Sequence, residues 1–220
     1  MNVKLFEPRM SRLRDATVIA VLRMHSAADA VEAVGTAVRG GFEAVEITLN
    51  TPGATDALAE VAGRTDAIVG AGTITAPEDV KEAYDAGAEF IITPVVLPEV
   101  VEAAHELSLP VALGASTPTE IFNARRAGAD WVKVFPAERL GGPAYISNVL
   151  GPLDGTPLLV TGGITAENYL GYLEVGVELV GFGADVFDPD LAARGRLDEI
   201  ERRSIEVCRR LDIYVTEHES

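Results

Sequence analysis

The sequence predicts an α/β protein, a single-domain (β/α)8 TIM barrel, and three observations carry that expectation. Short runs rich in Val and Ile alternate, eight times along the chain, with longer segments whose apolar residues recur at helical spacing. One phrase, a glycine followed by a strand-like run, recurs around Gly41, Gly87, Gly128 and Gly176. No linker or low-complexity stretch divides the 220 residues, a length common for one barrel.

Taken in order, residues 1–15 are polar and charged and read as an N-terminal extension. Strands are expected at 17–22, 44–49, 67–70, 90–93, 111–113, 131–135, 158–161 and 179–183. Their lengths and branched side chains suit parallel strands buried on both faces. Between them, 27–39, 77–86 and 120–127 show the helical period, and Thr75, Thr117 and Thr165 stand where a hydroxyl can cap free N–H groups. Each glycine phrase reads as a helix ended by a left-handed residue, then entry to a strand. The four glycines lie 41 to 48 residues apart, about two βα units, and so mark strands two, four, six and eight. Residues 189–212 form a closing helical segment, with an amphipathic helix over 197–211. There Arg202, Arg203, Arg209 and Arg210 read as a solvated face and Cys208 as packing. A doubly wound open sheet is the competing architecture.

The 34 acidic side chains outnumber the 18 basic ones, for a net charge of −16. That balance, without a basic stripe, excludes nucleic-acid binding by phosphate neutralisation and a polybasic membrane surface. The 48% apolar content excludes a disordered acidic tail. No run of about 18 apolar residues is present to span a bilayer, and 1–15 lacks the apolar centre of a secretion signal, so a cytoplasmic protein is expected. Cys208 is the only cysteine, and His25, His105 and His218 are scattered, so neither a disulfide framework nor a metal site is expected. Only Lys4, Lys81 and Lys133 are lysines; the other 15 basic residues are arginine. Scarce lysine beside a large acid excess fits selection for solubility in high salt, an arginine-rich genome bias being the other reading.

Lys133 stands inside the sixth strand, in Asp130-Trp-Val-Lys-Val-Phe-Pro136. Strand alternation sets Trp131, Lys133 and Phe135 on one face and Val132 and Val134 on the other. The valine face suits packing under helices, so Lys133 is expected to point into the barrel. Removal from water favours a neutral amine, the form that attacks a carbonyl to make a Schiff base. A purely structural lysine paired with an interior carboxylate is equally compatible with the position. Glu46 tips the balance: with Ala44, Thr48 and Asn50 it takes the interior face of the second strand, where it could move protons for such a lysine. It could also be only the counter-ion. Thr161-Gly162-Gly163-Ile164 ends strand seven and Gly181-Phe182-Gly183 ends strand eight, the pair of loops that often binds phosphate in such barrels. Gly70-Ala71-Gly72-Thr73 reads as a tight turn after strand three. Arg23, directly after the first strand, could hold a carboxylate at the barrel mouth or lie on the surface.

At these residues the chain resembles the 2-keto-3-deoxy-6-phosphogluconate (KDPG) aldolases, a class I family that includes 4-hydroxy-2-oxoglutarate and phosphogalactonate aldolases. The resemblance runs from about Ala20 to Asp185 through Ala20-Val-Leu-Arg23, Glu46-Ile-Thr-Leu-Asn-Thr-Pro52, Gly70-Ala-Gly-Thr73, Thr93-Pro94, Gly114 to Thr117, Lys133-Val-Phe-Pro-Ala-Glu138 and Thr161-Gly-Gly-Ile164. It implies Lys133 as the Schiff-base lysine and Glu46 as the general acid/base. Arg23, Thr73, Pro94, Phe135, Thr161, Gly162, Gly163 and Gly183 would bind substrate, a small phosphorylated keto acid. The family needs no metal or cofactor and is typically a homotrimer. Two departures stand out. Asn50 occupies a position where many members carry an arginine for the pyruvate carboxylate, and phosphogalactonate-type members instead carry Leu-Arg after strand one, as at Leu22-Arg23. Ala184 replaces a serine hydroxyl worth about 1 kcal/mol to phosphate binding. The expected activity is cleavage of KDPG to pyruvate and glyceraldehyde 3-phosphate. The galacto-configured or 4-hydroxy-2-oxoglutarate substrates, a sugar-phosphate isomerase or epimerase, and a catalytically silent binding barrel remain alternatives.

Overall fold

Eight parallel strands close in chain order: β1 (Val18–Leu22), β2 (Ala44–Thr48), β3 (Ile68–Gly72), β4 (Ile91–Ile92), β5 (Val111–Ala115), β6 (Trp131–Val134), β7 (Leu158–Thr161) and β8 (Leu179–Phe182). Pairing of β8 back onto β1, with Val18 opposite Val180, excludes the open-sheet alternative. The computed structural model of the protein describes residues 1–218. No described helix is long and apolar enough to cross a membrane.

Strand boundaries depart from expectation mainly at glycines. β3 runs on through Gly72 and β5 through Ala115, past the points where glycine seemed to end them. Inside a barrel a missing Cβ makes room for a neighbour rather than breaking the strand. A Cβ at Gly70 would lie 2.5 Å from the Phe90 ring, and one at Gly114 would lie 2.1 Å from the Pro94 backbone. β4 is shorter than the expected 90–93, because the Thr93 hydroxyl takes the Val95 N–H at 3.0 Å and turns the chain.

The expected N-terminal extension is a helix, α1 (Val3–Ala16), capped by the Asn2 side chain on the Lys4 N–H. Phe6, Met10, Leu13 and Ala16 recur on its buried face and pack against Ile19, Phe90, Trp131, Leu159 and Leu179 at the lower end of the barrel. The outer layer is α2 (Ala27–Arg39), α3 (Ala54–Val61), α4 (Pro77–Asp85), α5 (Pro98–Glu106), α6 (Pro118–Arg126), α7 (Gly142–Leu150), α8 (Leu170–Glu174), α9 (Pro189–Ala193) and α10 (Leu197–His218). Of the three threonines expected as caps, Thr117 alone is an N-cap, in a reciprocal box with Glu120. Thr75 precedes the cap residue of α4 and binds Asp79 instead, whereas the Thr165 hydroxyl does accept a free N–H, that of Glu167 at 3.2 Å, in the turn ahead of α8, which begins at Leu170. The closing helix α10 runs past the expected residue 211. Its arginines are not all solvated: Arg203 donates to the Asp185 carbonyl at 2.9 Å, and Arg210 reaches the Ala166 carbonyl. Cys208 packs against Gly41, as expected, and burial pushes its thiol up to about 12.

Candidate active site

Alternation along β6 works as the sequence implies. Trp131 joins the barrel interior, Val132 and Val134 join the layer under the helices, and Lys133 stands one level above Trp131 on the interior face. On β2, Val45 and Ile47 likewise pack outward, leaving Glu46 inside. The two meet: Lys133 Nζ lies 3.9 Å from Glu46 Oε1. Gly72 on β3 makes the space, since a Cβ there would lie 1.6 Å from the same carboxylate oxygen. The presumed tight turn at Gly70–Thr73 is therefore the end of a strand, shaped around the glutamate.

Glu46 is fully buried, and neither of its oxygens has a hydrogen-bond partner among the described residues. A buried, unsatisfied carboxylate is costly and calls for an explanation in function or strain. Burial pushes its pKa above the ordinary carboxylate value, while the charges of Lys133 and then Arg23 pull it back. A carboxylate whose burial favours the protonated form while two nearby cations favour the ionised one is suited to take a proton and return it.

Above this pair opens a cavity of about 340 Å³, and all ten residues expected at the site line it: Lys133, Glu46, Arg23, Thr73, Pro94, Phe135, Thr161, Gly162, Gly163 and Gly183. Arg23 makes no hydrogen bond or ion pair with a described residue, which leaves its guanidinium open to an anion. Thr73 holds φ of +60°, a conformation seldom adopted by a β-branched residue and one found where a site sets the backbone. The Phe135 ring lies 5.9 Å from Lys133 Nζ. At the far side, Gly162 and Gly163 have φ of +90° and +77°. The backbone N–H groups of Gly162, Gly163, Gly183 and Ala184 donate to no described residue. Unpaired N–H groups on two loops that line one cavity are of the kind that can receive an oxyanion.

A family model described as KDPG and KHG aldolase matches residues 10–203. The chain belongs to this aldolase family. It is 32% identical over 199 residues to the 2-dehydro-3-deoxy-phosphogluconate aldolase of Haemophilus influenzae, covering 90% of this chain and 94% of the relative. Against the 2-dehydro-3-deoxy-6-phosphogalactonate aldolase of Escherichia coli K12 the identity is 34% over 173 residues, covering 77% and 84%. The fold superposes on the KDPG aldolase of Legionella pneumophila, a structure with pyruvate captured as a covalent carbinolamine, with a TM-score of 0.82, 27% identity and coverage of 90% and 97%. As a member of this family the protein is an aldolase, a carbon–carbon lyase.

Beyond the expected residues, the aldolase cavity is lined by Val21, Thr48, Ala184, Asp185, Phe187 and Pro189. Val21 and Thr48 were within reach of sequence reasoning, since each lies two positions from Arg23 or Glu46 on the same strand face. Phe187 comes from the irregular segment after β8 and Pro189 opens the short helix α9, so neither carries a periodic signal. Asn50 lines a neighbouring cleft with Thr51 and Thr75, not the cavity. His25 and His105 pair with Asp190 and Asp130, and none of the three histidines lines the cavity.

Proposed function

We propose that this aldolase cleaves KDPG to pyruvate and glyceraldehyde 3-phosphate through a Schiff base on Lys133, with Glu46 as general acid/base. The observation that carries the reading is the buried Lys133–Glu46 pair, 3.9 Å apart, in which neither glutamate oxygen has a hydrogen-bond partner among the described residues, on the cavity wall. Lys133 attacks the C2 ketone, and loss of water yields the iminium. Glu46, directly or through a water, takes the proton of the C4 hydroxyl. The C3–C4 bond then breaks, its electrons pass into the iminium, and the aldehyde leaves. The protonated Glu46 returns its proton to C3 of the enamine, and water releases pyruvate and regenerates the amine. Arg23 holds the substrate carboxylate, and the N–H groups at Gly162, Gly163 and Gly183 hold the phosphate. The pyruvate captured covalently in the Legionella relative supports the same first step here. A homotrimer belongs to the same reading, with sedimentation velocity as its test.

A galacto-configured substrate is the second reading, favoured by one observation: Arg23 lines the cavity while Asn50 does not. Side-by-side turnover of the gluco- and galacto-configured phosphates and of 4-hydroxy-2-oxoglutarate decides among them. For the mechanism, pyruvate with borohydride should leave a reduced adduct on Lys133, located by mass spectrometry. Lys133→Ala should form no adduct and lose retro-aldol turnover by at least about four orders of magnitude. Full turnover by that variant would overturn the mechanism.

A further inference from the structure

Glu138 lies outside the cavity lining, yet it meets the glycine loop after β7 in three ways. Three successive carbonyls of that loop are held from one side: Thr161 O by the Ala137 N–H (2.8 Å), Gly162 O by the Glu138 N–H (3.2 Å) and Gly163 O by the Asn168 side-chain amide (2.9 Å). In a trans peptide, the C=O of one residue and the N–H of the next point in opposite directions. The N–H groups of Gly162, Gly163 and Ile164 are therefore turned away from these three holders, and none has an acceptor among the described residues.

The Glu138 side chain completes the support. A Cβ at Gly163 would lie 2.7 Å from Glu138 Cβ, so the glutamate stem fills the space that only a glycine leaves open. Its Oε2 accepts from the hydroxyl of the buried Tyr172 (2.8 Å) and from Asn168 Nδ2 (3.2 Å), the same amide that holds Gly163 O. Asn168 Oδ1 in turn accepts the Thr165 N–H at 2.9 Å. One carboxylate oxygen thus ties α8 to the loop and fixes which way the Asn168 amide faces.

We infer that Glu138 is a positioning residue for anion binding: it holds the Gly162–Gly163–Ile164 N–H groups in the orientation that receives the substrate phosphate. This rests on the proposed phosphorylated substrate, and it adds the residue that preforms the receptor. A negative charge this close to an anion site opposes binding by itself, so the benefit must come through geometry. Glutamine can keep both hydrogen bonds on one oxygen while losing the charge. Leucine keeps the packing and loses the bonds.

The test is calorimetric titration with inorganic phosphate, beside steady-state kinetics on phosphorylated substrate and borohydride trapping of pyruvate. Glu138→Leu should weaken phosphate binding and raise KM for the phosphorylated substrate by roughly 10- to 100-fold, with kcat changed little and the pyruvate adduct still formed. Glu138→Gln should restore phosphate binding to within a few-fold of the parent. Unchanged phosphate binding in a folded Glu138→Leu protein overturns the proposal, as does a loss that glutamine fails to restore. If Glu138→Leu does not fold, Asn168→Ala frees Gly163 O directly and must weaken phosphate binding to the same degree. Absence of a pyruvate adduct in the parent protein would sink the Schiff-base reading instead, and the phosphate titration would still decide the role of Glu138.

Discussion

Below Lys133 the barrel interior is filled by Trp131, Phe90, Ile92 and Leu159 and sealed by Leu13 and Phe6 of α1. Above it, the same inward face carries Glu46, Thr48, Thr161 and Arg23 around a cavity. One strand alternation builds both levels; they differ in how polar atoms are treated. At the floor, Trp131 Nε1 reaches out to the Glu178 carboxylate at 2.9 Å and is satisfied. One level up, the Glu46 carboxylate is buried with nothing to accept from. A barrel tolerates that cost at one end because the other is closed and well packed.

Three substitutions and a pH dependence can break or sharpen this contrast, from the largest expected effect to the smallest. Gly72→Ala puts a methyl group where the Glu46 carboxylate now lies, so kcat should fall by roughly 100-fold or more while the protein stays folded. A kcat within twofold of the parent would show that the glutamate needs no such space. At the floor, Leu13→Ala should do the reverse, costing about 3 kcal/mol in urea unfolding while kcat of the folded enzyme holds. A fall in kcat with no loss of stability would mean that the two levels are not separable. Arg23→Ala should raise KM for the keto acid by roughly tenfold, with a smaller change in kcat, if its guanidinium holds the carboxylate.

The smallest effect is a dependence on pH. Glu46 in the folded protein holds its proton above the ordinary 4.5, because burial outweighs the pull of Lys133 and Arg23. Folding therefore favours the protonated form: its contribution is fully present below 4.5 and is lost as pH rises through the folded-state value. Glu46→Gln should abolish that decline, and Lys133→Ala should deepen it by removing the compensating charge. Urea midpoints across acid to neutral pH measure both. A parent-to-glutamine difference that stays constant with pH would contradict the burial argument.

Much of this contrast is legible in the chain. Val-Lys-Val in a strand that packs under helices tells which way Lys133 faces, and Ala-Val-Glu-Ile does the same for Glu46, because strand geometry has period two whatever the fold. The repeated glycine phrase gives the count of units. Other features were misread or missed for one physical reason. Gly72 looked like a turn because propensity treats glycine as a breaker, whereas here its missing Cβ is the space of a residue on another strand. Residues 1–15 looked like an extension because their four buried positions are diluted among charges.

Alternation, helix period and the choice of a lone interior lysine in an arginine-rich chain follow from local chemistry, and the sequence by itself determined them. Only the closed barrel decided that Lys133 and Glu46 stand 3.9 Å apart, that Gly72 leaves room for the Glu46 carboxylate, and that Glu138 packs under the loop at Gly163. Those facts depend on the register between strands distant in sequence and on the direction of individual N–H groups, which no local pattern encodes.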